Sequence, residues 1–363
     1  MPEPLKNWFN PARFAAIGDL LAELQPGFDR REFVHRATTG LEPLSILGRM
    51  RQGTLALRAT LPPPYREALA VLHRLAPRID HPFVGIMLPD FVGQFGRDHF
   101  DASMAALHHL TRFSSGELAI REFLRRDLPR TLAVMEGWSR DENEHVRRLA
   151  SEGCRPRLPW SFQLPALIAD PSPVAPILET LRADPSLYVR KSVANHLNDI
   201  SKDHPAWMLA RLRAWDLTHP PTAWIAKRAA RTLLKAGDAG ALALFNFTGR
   251  ARVKLDAFKL TPRRVKLGQR IEFNFTIRSL ATRSQRLAID YLVHYVKARG
   301  GTAPKVFKLR ELTLEPRTKV ALTKSQVIRD FTTRRHHPGR HRVEIQINGE
   351  ICGGGDFVLG RAG

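Results

Sequence analysis

Three carboxylates and one tryptophan are the residues whose setting suggests chemistry. Glu117 lies in Ser114-Ser115-Gly116-Glu117, where a helix opens. Glu152 follows Val146-Arg147-Arg148 at the end of one helical run, where a negative charge meets the negative end of the helix dipole. Asp199 sits in Asn195-His196-Leu197-Asn198-Asp199-Ile200, and Trp160 closes Cys154-Arg155-Pro156-Arg157-Leu158-Pro159-Trp160, whose prolines forbid regular helix. Fixed carboxylates can stabilise a developing positive charge and can orient or deprotonate a water. An aromatic face can hold a cation. Each residue also has an ordinary structural reading. Ser114-x-x-Glu117 reads first as a capping box. Glu152 can pair with Arg148 four residues back. Asp199 fits a solvated helix end, and Trp160 fits a core anchor as well as a surface stacker.

The chain around these residues is strongly basic. Its 363 residues hold 57 Lys and Arg against 35 Asp and Glu, a net charge of +22, and the isoelectric point is about 11.0. Residues 251–363 carry 24 Lys and Arg against 9 Asp and Glu, a net of +15, so the last third holds most of the excess. There are 44 Arg and only 13 Lys. Arg suits bidentate phosphate contact, although a GC-rich coding sequence accounts for the same bias. The cysteines, Cys154 and Cys352, are far apart, which argues against a disulfide framework and a zinc site. His108-His109 and His336-His337 lack partners at ligand spacing, and no phosphate-binding glycine loop is present, so neither metal nor cofactor is expected. Gly353-Gly354-Gly355-Asp356-Phe357 reads as a loop. No signal pattern and no membrane-length apolar stretch appear, and a soluble, cytoplasmic protein is expected.

The elements that must position these groups fall into two classes. Residues 1–248 read as many short antiparallel helices, with apolar residues at spacings of three and four, as in Phe14, Ile17, Leu20, Leu21 and Leu24. A second run, Leu118, Phe123, Leu124 and Leu128, ends near Pro129. Asp141-x4-Val146-Arg147-Arg148 and Asp184-x4-Val189-Arg190-Lys191 repeat after 43 residues, within the range of HEAT-type helical repeats. In this reading the Asp caps the second helix of each repeat, with Pro185 at its first position. Ile120-Arg121 and Ile225-Ala226-Lys227-Arg228 are degenerate copies. Arg147 and Arg190 either join a structural ladder with the Asp of an adjacent repeat or face phosphate. Residues 253–363 alternate at period two, with Ile271, Phe273, Phe275 and Ile277 on one face. Leu287, Ile289, Tyr291, Val293 and Tyr295 form another face, and Val343, Ile345 and Ile347 a third. Asn348-Gly349 is a hairpin signal, and the whole reads as an immunoglobulin-like β-sandwich. The fold class is thus an all-α HEAT-like repeat solenoid followed by an all-β sandwich.

The segment LRADPSLYVRKSVANHLNDISKDHP, residues 181–205, resembles the signature of AlkC-type bacterial alkylpurine DNA glycosylases, relatives of AlkD in the HEAT-like superfamily. Residues 146–160 resemble that family's preceding repeat, residues 114–124 its catalytic-helix start, and residues 337–350 the immunoglobulin-like domain of one AlkC branch. The resemblance implies base-excision repair of double-stranded DNA by a monomer in the bacterial nucleoid. It implies cleavage of the N-glycosidic bond of 3-methyladenine and 3-methylcytosine, with Glu117, Glu152 and Asp199 as active-site carboxylates and Trp160 beside the lesion. No Lys stands out as a Schiff-base nucleophile, so a monofunctional glycosylase is expected. Phosphate contacts are then expected from Arg121, Arg148, Arg155, Arg157, Lys191, Lys202, Lys227 and Arg231. In the β-domain, expected to be a DNA clamp, they are expected from Arg263, Arg264, Arg334 and Arg335. The rival reading is a non-catalytic DNA-binding or scaffolding repeat protein. Against it, a passive DNA binder gains nothing from carboxylates that repel phosphate.

Overall fold

The computed structural model describes residues 3–331 and 335–360. The chain forms two compact units that interleave in sequence. Met1–His204 with Trp215–Ala229 make the first, and Pro205–Ala214 with Ala230–Gly363 the second.

The first unit is helical. It contains α1 (Pro11–Leu24), α2 (Arg30–Thr38), α3 (Ile46–Thr60), α4 (Tyr65–Leu75), α5 (Met87–Phe95) and α6 (Phe100–Leu110). These are followed by α7 (Ile120–Arg126), α8 (Leu128–Trp138), α9 (Glu144–Glu152), α10 (Pro165–Ala169), α11 (Ala175–Thr180) and α12 (Leu187–Ile200). After α13 (Pro205–Ala214), which belongs to the second unit, comes α14 (Pro220–Ala229). Local chemistry sets the boundaries. Asn10 caps α1 by accepting from the Arg13 amide, Pro11 opens the helix, and Phe14, Ile17 and Leu21 are buried. The expected run from Leu118 to Leu128 is divided. Asp127 caps α8 through the Arg130 amide, so Leu128 and Pro129 begin a new helix instead of ending the old one.

Helices α9, α12 and α14 carry the repeat, and α12 packs against both others. Val146, Leu149 and Ala150 on α9, Val189, Val193 and Ala194 on α12, and Ile225, Ala226 and Ala229 on α14 are all fully buried. The repeat's Asp does not cap its helix. Asp141 accepts from the Asn143 amide at 2.8 Å and Asp184 from the Ser186 amide at 2.8 Å, each bending the chain two residues on. Asn143 and Ser186 are the caps, and Pro185 lies before the helix. Asp184 also accepts from two of the three Arg147 guanidinium nitrogens, at 2.7 and 3.2 Å, which is the ladder between adjacent repeats. Arg190 donates to the Asp184 and Pro185 carbonyls, as Arg147 does to those of Asp141 and Glu142.

The second unit adds α15 (Arg231–Ala236) and α16 (Ala239–Leu244) to eight strands. These are β1 (Val253–Thr261), β2 (Arg264–Val265), β3 (Arg270–Ser279), β4 (Gln285–Val296), β5 (Thr302–Leu314), β6 (Lys319–Val327), β7 (Gly339–Ile347) and β8 (Glu350–Leu359). One sheet has the order β1-β3-β6 and the other β2-β8-β7-β4-β5. The period-two faces expected from sequence form the core: Ile271, Phe273, Phe275, Ile277, Leu287, Ile289, Tyr291, Val293, Tyr295, Val343, Ile345 and Ile347 are all buried. Asn348 and Gly349 both have positive φ and join β7 to β8 as a two-residue turn. The glycine run 353–355 is strand, not loop. A Cβ on Gly354 would fall 2.0 Å from the Val343 carbonyl oxygen, so the absent side chain lets β8 lie close against β7.

Candidate active site

The three carboxylates converge in the first unit, and two arginines join them. Arg148, on α9, reaches back to Glu117 in a close ion pair and forward to Glu152 at 3.5 Å. Arg155, just past α9, holds Glu152 at 2.6 Å and Asp199 at 2.8 Å. Lys202 closes the series, 3.1 Å from the other Asp199 oxygen. The result is an alternating row: Glu117, Arg148, Glu152, Arg155, Asp199, Lys202. Two serines complete it. Ser192 donates to Glu152 at 2.6 Å, and Ser115 donates to Glu117 at 2.9 Å while accepting from Arg148 at 2.9 Å.

Each member is placed by backbone features already described. Glu117 does not form the expected capping box. Its side chain turns to Arg148 and Ser115, and α7 begins at Ile120 after Ala119. Glu152 ends α9, and the i−4 pair with Arg148 does form. Gly153 follows, where a Cβ would fall 2.5 Å from Ile120 and force α9 away from α7. Asp199 lies in the last turn of α12 and is buried, so it is not a solvated helix end.

Burial sets the electrostatics. Burial alone raises the Glu152 carboxyl, but Arg148, Arg155 and the Ser192 hydroxyl outweigh it, and the group is held below the ordinary carboxylate range. His196 on α12 is fully buried, and burial together with the nearby Arg155 charge pushes it down to about 3, so it is neutral. Burial raises the Cys154 thiol to about 12, which makes it an inert packing residue and no nucleophile.

Trp160 is 58% exposed. Its φ of 66° lies in the left-handed region, a strained conformation for a bulky residue. Arg121 holds the loop that carries it. This arginine is fully buried and donates to the carbonyls of Gly153 at 2.8 Å, Arg155 at 2.7 Å and Phe162 at 2.5 Å. Trp160, Ser161 and Phe162 line a cavity of about 360 Å³ together with Met50, Asp90 and Glu122. The Trp160 ring meets Phe83 edge-on at 5.9 Å.

The expected phosphate contacts divide accordingly. Arg121 is corrected: its guanidinium is spent on three carbonyls inside the protein. Arg148 and Arg155 are spent on carboxylates, because a buried carboxylate competes for a guanidinium with any outside anion. Arg157 makes a two-pronged pair with Asp203 at 2.8 and 3.0 Å. Lys191 is exposed on α12 and Lys227 is part of α14, whereas Arg231 begins α15 in the second unit. In that unit Arg263 and Arg264 share a cleft of about 340 Å³ with Arg340, Arg342 and Asp356. Arg335 is exposed, and Arg334 lies outside the described residues.

Tyr188 was not singled out from sequence. It is 39% exposed, and the Arg148 guanidinium lies 5.1 Å from its ring centroid. His145 meets it edge-on at 5.4 Å. The sequence did hold a signal: His145, Tyr188 and Trp224 each immediately precede the buried Val146, Val189 and Ile225 of the repeat.

Among the described residues, no group of three or more His, Cys, Asp and Glu is arranged to hold a metal ion. No helix among them is long and apolar enough to cross a membrane.

Residues 113–235 match the family described as DNA alkylation repair enzyme. Residues 254–361 match the C-terminal Ig-like domain of the uncharacterised protein YhaZ. The chain is 44% identical over 358 residues to the uncharacterized protein YhaZ of Bacillus subtilis (strain 168), covering 98% of this chain and 99% of that one. It also matches the structure of the Pseudomonas fluorescens alkylpurine DNA glycosylase AlkC bound to DNA containing an abasic site analog. That match has a TM-score of 0.95 and 49% identity, and covers 99% of this chain and 100% of that one. The chain therefore belongs to the DNA alkylation repair enzyme family, as an AlkC-type DNA glycosylase with a C-terminal Ig-like domain.

Proposed function

We propose that this protein removes 3-methyladenine and 3-methylcytosine from double-stranded DNA as a monofunctional glycosylase, working as a monomer in the cytoplasm on the nucleoid. In this reading residues 1–248 form the catalytic and DNA-binding part and residues 253–363 a DNA clamp. The observation that carries it is the row of three carboxylates alternating with three cations, together with an exposed Trp160 on a loop held by Arg121. The AlkC relative, bound to DNA with an abasic site analog, supports the choice of reaction.

An N3-alkylated base is cationic and already a good leaving group, so no general acid is required. Positive charge develops on the sugar as the N-glycosidic bond lengthens, as in other glycoside hydrolysis. Asp199 and Glu117 stabilise that charge and position the attacking water, and Glu152 adds its field. Trp160 offers its face to the cationic base or sugar. Arg148 and Arg155 hold the carboxylates in place.

Release of methylated base from methylated duplex DNA tests the reading. The wild type releases 3-methyladenine and 3-methylcytosine, and Asp199→Asn keeps DNA binding while losing at least about a hundredfold in rate, the scale of one electrostatic stabiliser. Wild-type protein that frees neither base ends the enzymatic reading.

A further inference from the structure

The two cations that hold Asp199 differ in kind. Arg155 grips one carboxylate oxygen through two nitrogens, at 2.9 and 2.8 Å, and is itself buried. Lys202 meets the other oxygen at 3.1 Å, but its side chain is 46% exposed, against 6% for Asp199. Arg155 is also committed to Glu152, whereas Lys202 donates to Asp199. Half-exposed ion pairs are weak and easily exchanged. A phosphodiester offers an ammonium on a flexible stem an equivalent partner, and counterion release adds to the exchange.

We propose that Lys202 is a charge shutter: its ammonium neutralises Asp199 in the free protein and moves to a DNA phosphate when duplex binds. The outer oxygen of Asp199 is then uncovered only when a sugar is present to use it. Arg155 stays in place and keeps the carboxylate oriented. This inference rests on the reading of Asp199 as a catalytic carboxylate, and adds to it a way for DNA binding to control the charge at that site.

The test is a double-mutant cycle on binding of undamaged duplex by the full-length protein, measured across salt concentrations, with thermal melting as the check on folding. Lys202→Gln loses one phosphate contact, and the slope of log affinity against log salt becomes shallower by about 0.9. Asp199→Asn frees Lys202 from its anchor and tightens binding by about three- to tenfold. In the Lys202→Gln background the same Asn substitution tightens binding less than about twofold, so the two changes are not additive. An unchanged salt slope in Lys202→Gln, or an additive cycle, overturns the shutter and leaves Lys202 as a fixed helix-end partner. Base release by Asp199→Asn is assayed in parallel. Full activity there overturns the catalytic reading of Asp199 itself, whatever the cycle shows.

Discussion

Glu152 is the residue whose chemistry is most dependent on its neighbours. Its helix position and burial both disfavour charge, yet Arg148, Arg155 and Ser192 hold it ionised below the usual range. Because its folded value is depressed, its contribution to stability is complete above the ordinary glutamate value of 4.5. That contribution is lost as pH falls through the lower folded value. Arg155→Gln removes a partner from both Glu152 and Asp199. The Glu152 carboxyl then rises, and the acid limb of the single-turnover pH profile moves to higher pH. The pH of half-unfolding in acid rises with it. A limb that stays in place while stability falls would mean that Glu152 ionisation does not enter the rate. The acidic positions themselves were legible in the sequence; their partners were not. Arg148 and Arg155 were expected on phosphate because an arginine in a basic chain gives no direction for its guanidinium. Three-dimensional burial of the carboxylates decides that direction.

At the scale of elements, the repeat was readable because the Val-Arg pair recurs after 43 residues with its Asp in phase. Its details were less readable. Asp, Asn and Ser can all accept from a backbone amide two residues ahead, so Asp141 and Asn143, or Asp184 and Ser186, compete for the cap on equal terms. The folded turn gives the first amide to Asp and the second to Asn or Ser. The β-domain was easier, since a period of two places a whole face in the core and a one-residue slip would expose it. The ladder between repeats gives a stability prediction. Asp184 is nearly buried and takes two guanidinium nitrogens of Arg147, so Asp184→Ala strands a partly buried guanidinium and costs about 3–5 kcal/mol. Asp141→Ala costs less, about 1–2 kcal/mol, because Arg147 uses only its carbonyl, and its side chain loses the Asn143 amide and the partly exposed His108. Urea denaturation of the two variants checks the order, and equal losses would remove the ladder as a source of stability.

Over the whole molecule, charge is distributed by task. The helical part holds its carboxylates and cations in matched rows, and residues 251–363 hold a net +15 with few matching acids. Around the cleft of the β-unit, Asp356 pairs with Arg340 at 3.1 Å and with Arg342 at 3.0 Å. Arg263 and Arg264 stand at the same cleft with no further acid among its lining residues. Arg342 also pairs with Glu344 at 2.9 Å, and two carboxylates cannot neutralise four guanidinium groups, so the cleft keeps a positive field that favours a polyanion. If this unit is a clamp on DNA, its arginines contribute to affinity through counterion release, at about 0.9 in the salt slope for each phosphate neutralised. Arg263→Gln with Arg264→Gln should then make the slope shallower by up to about 1.8. The rate of base release at saturating DNA should change much less than the affinity, because neither residue is a member of the carboxylate row. Fluorescence anisotropy over a salt series, paired with single-turnover release, separates the two effects. A slope identical to wild type would reassign the cleft to a partner other than DNA, since no phosphate contact can be lost without changing the number of counterions released.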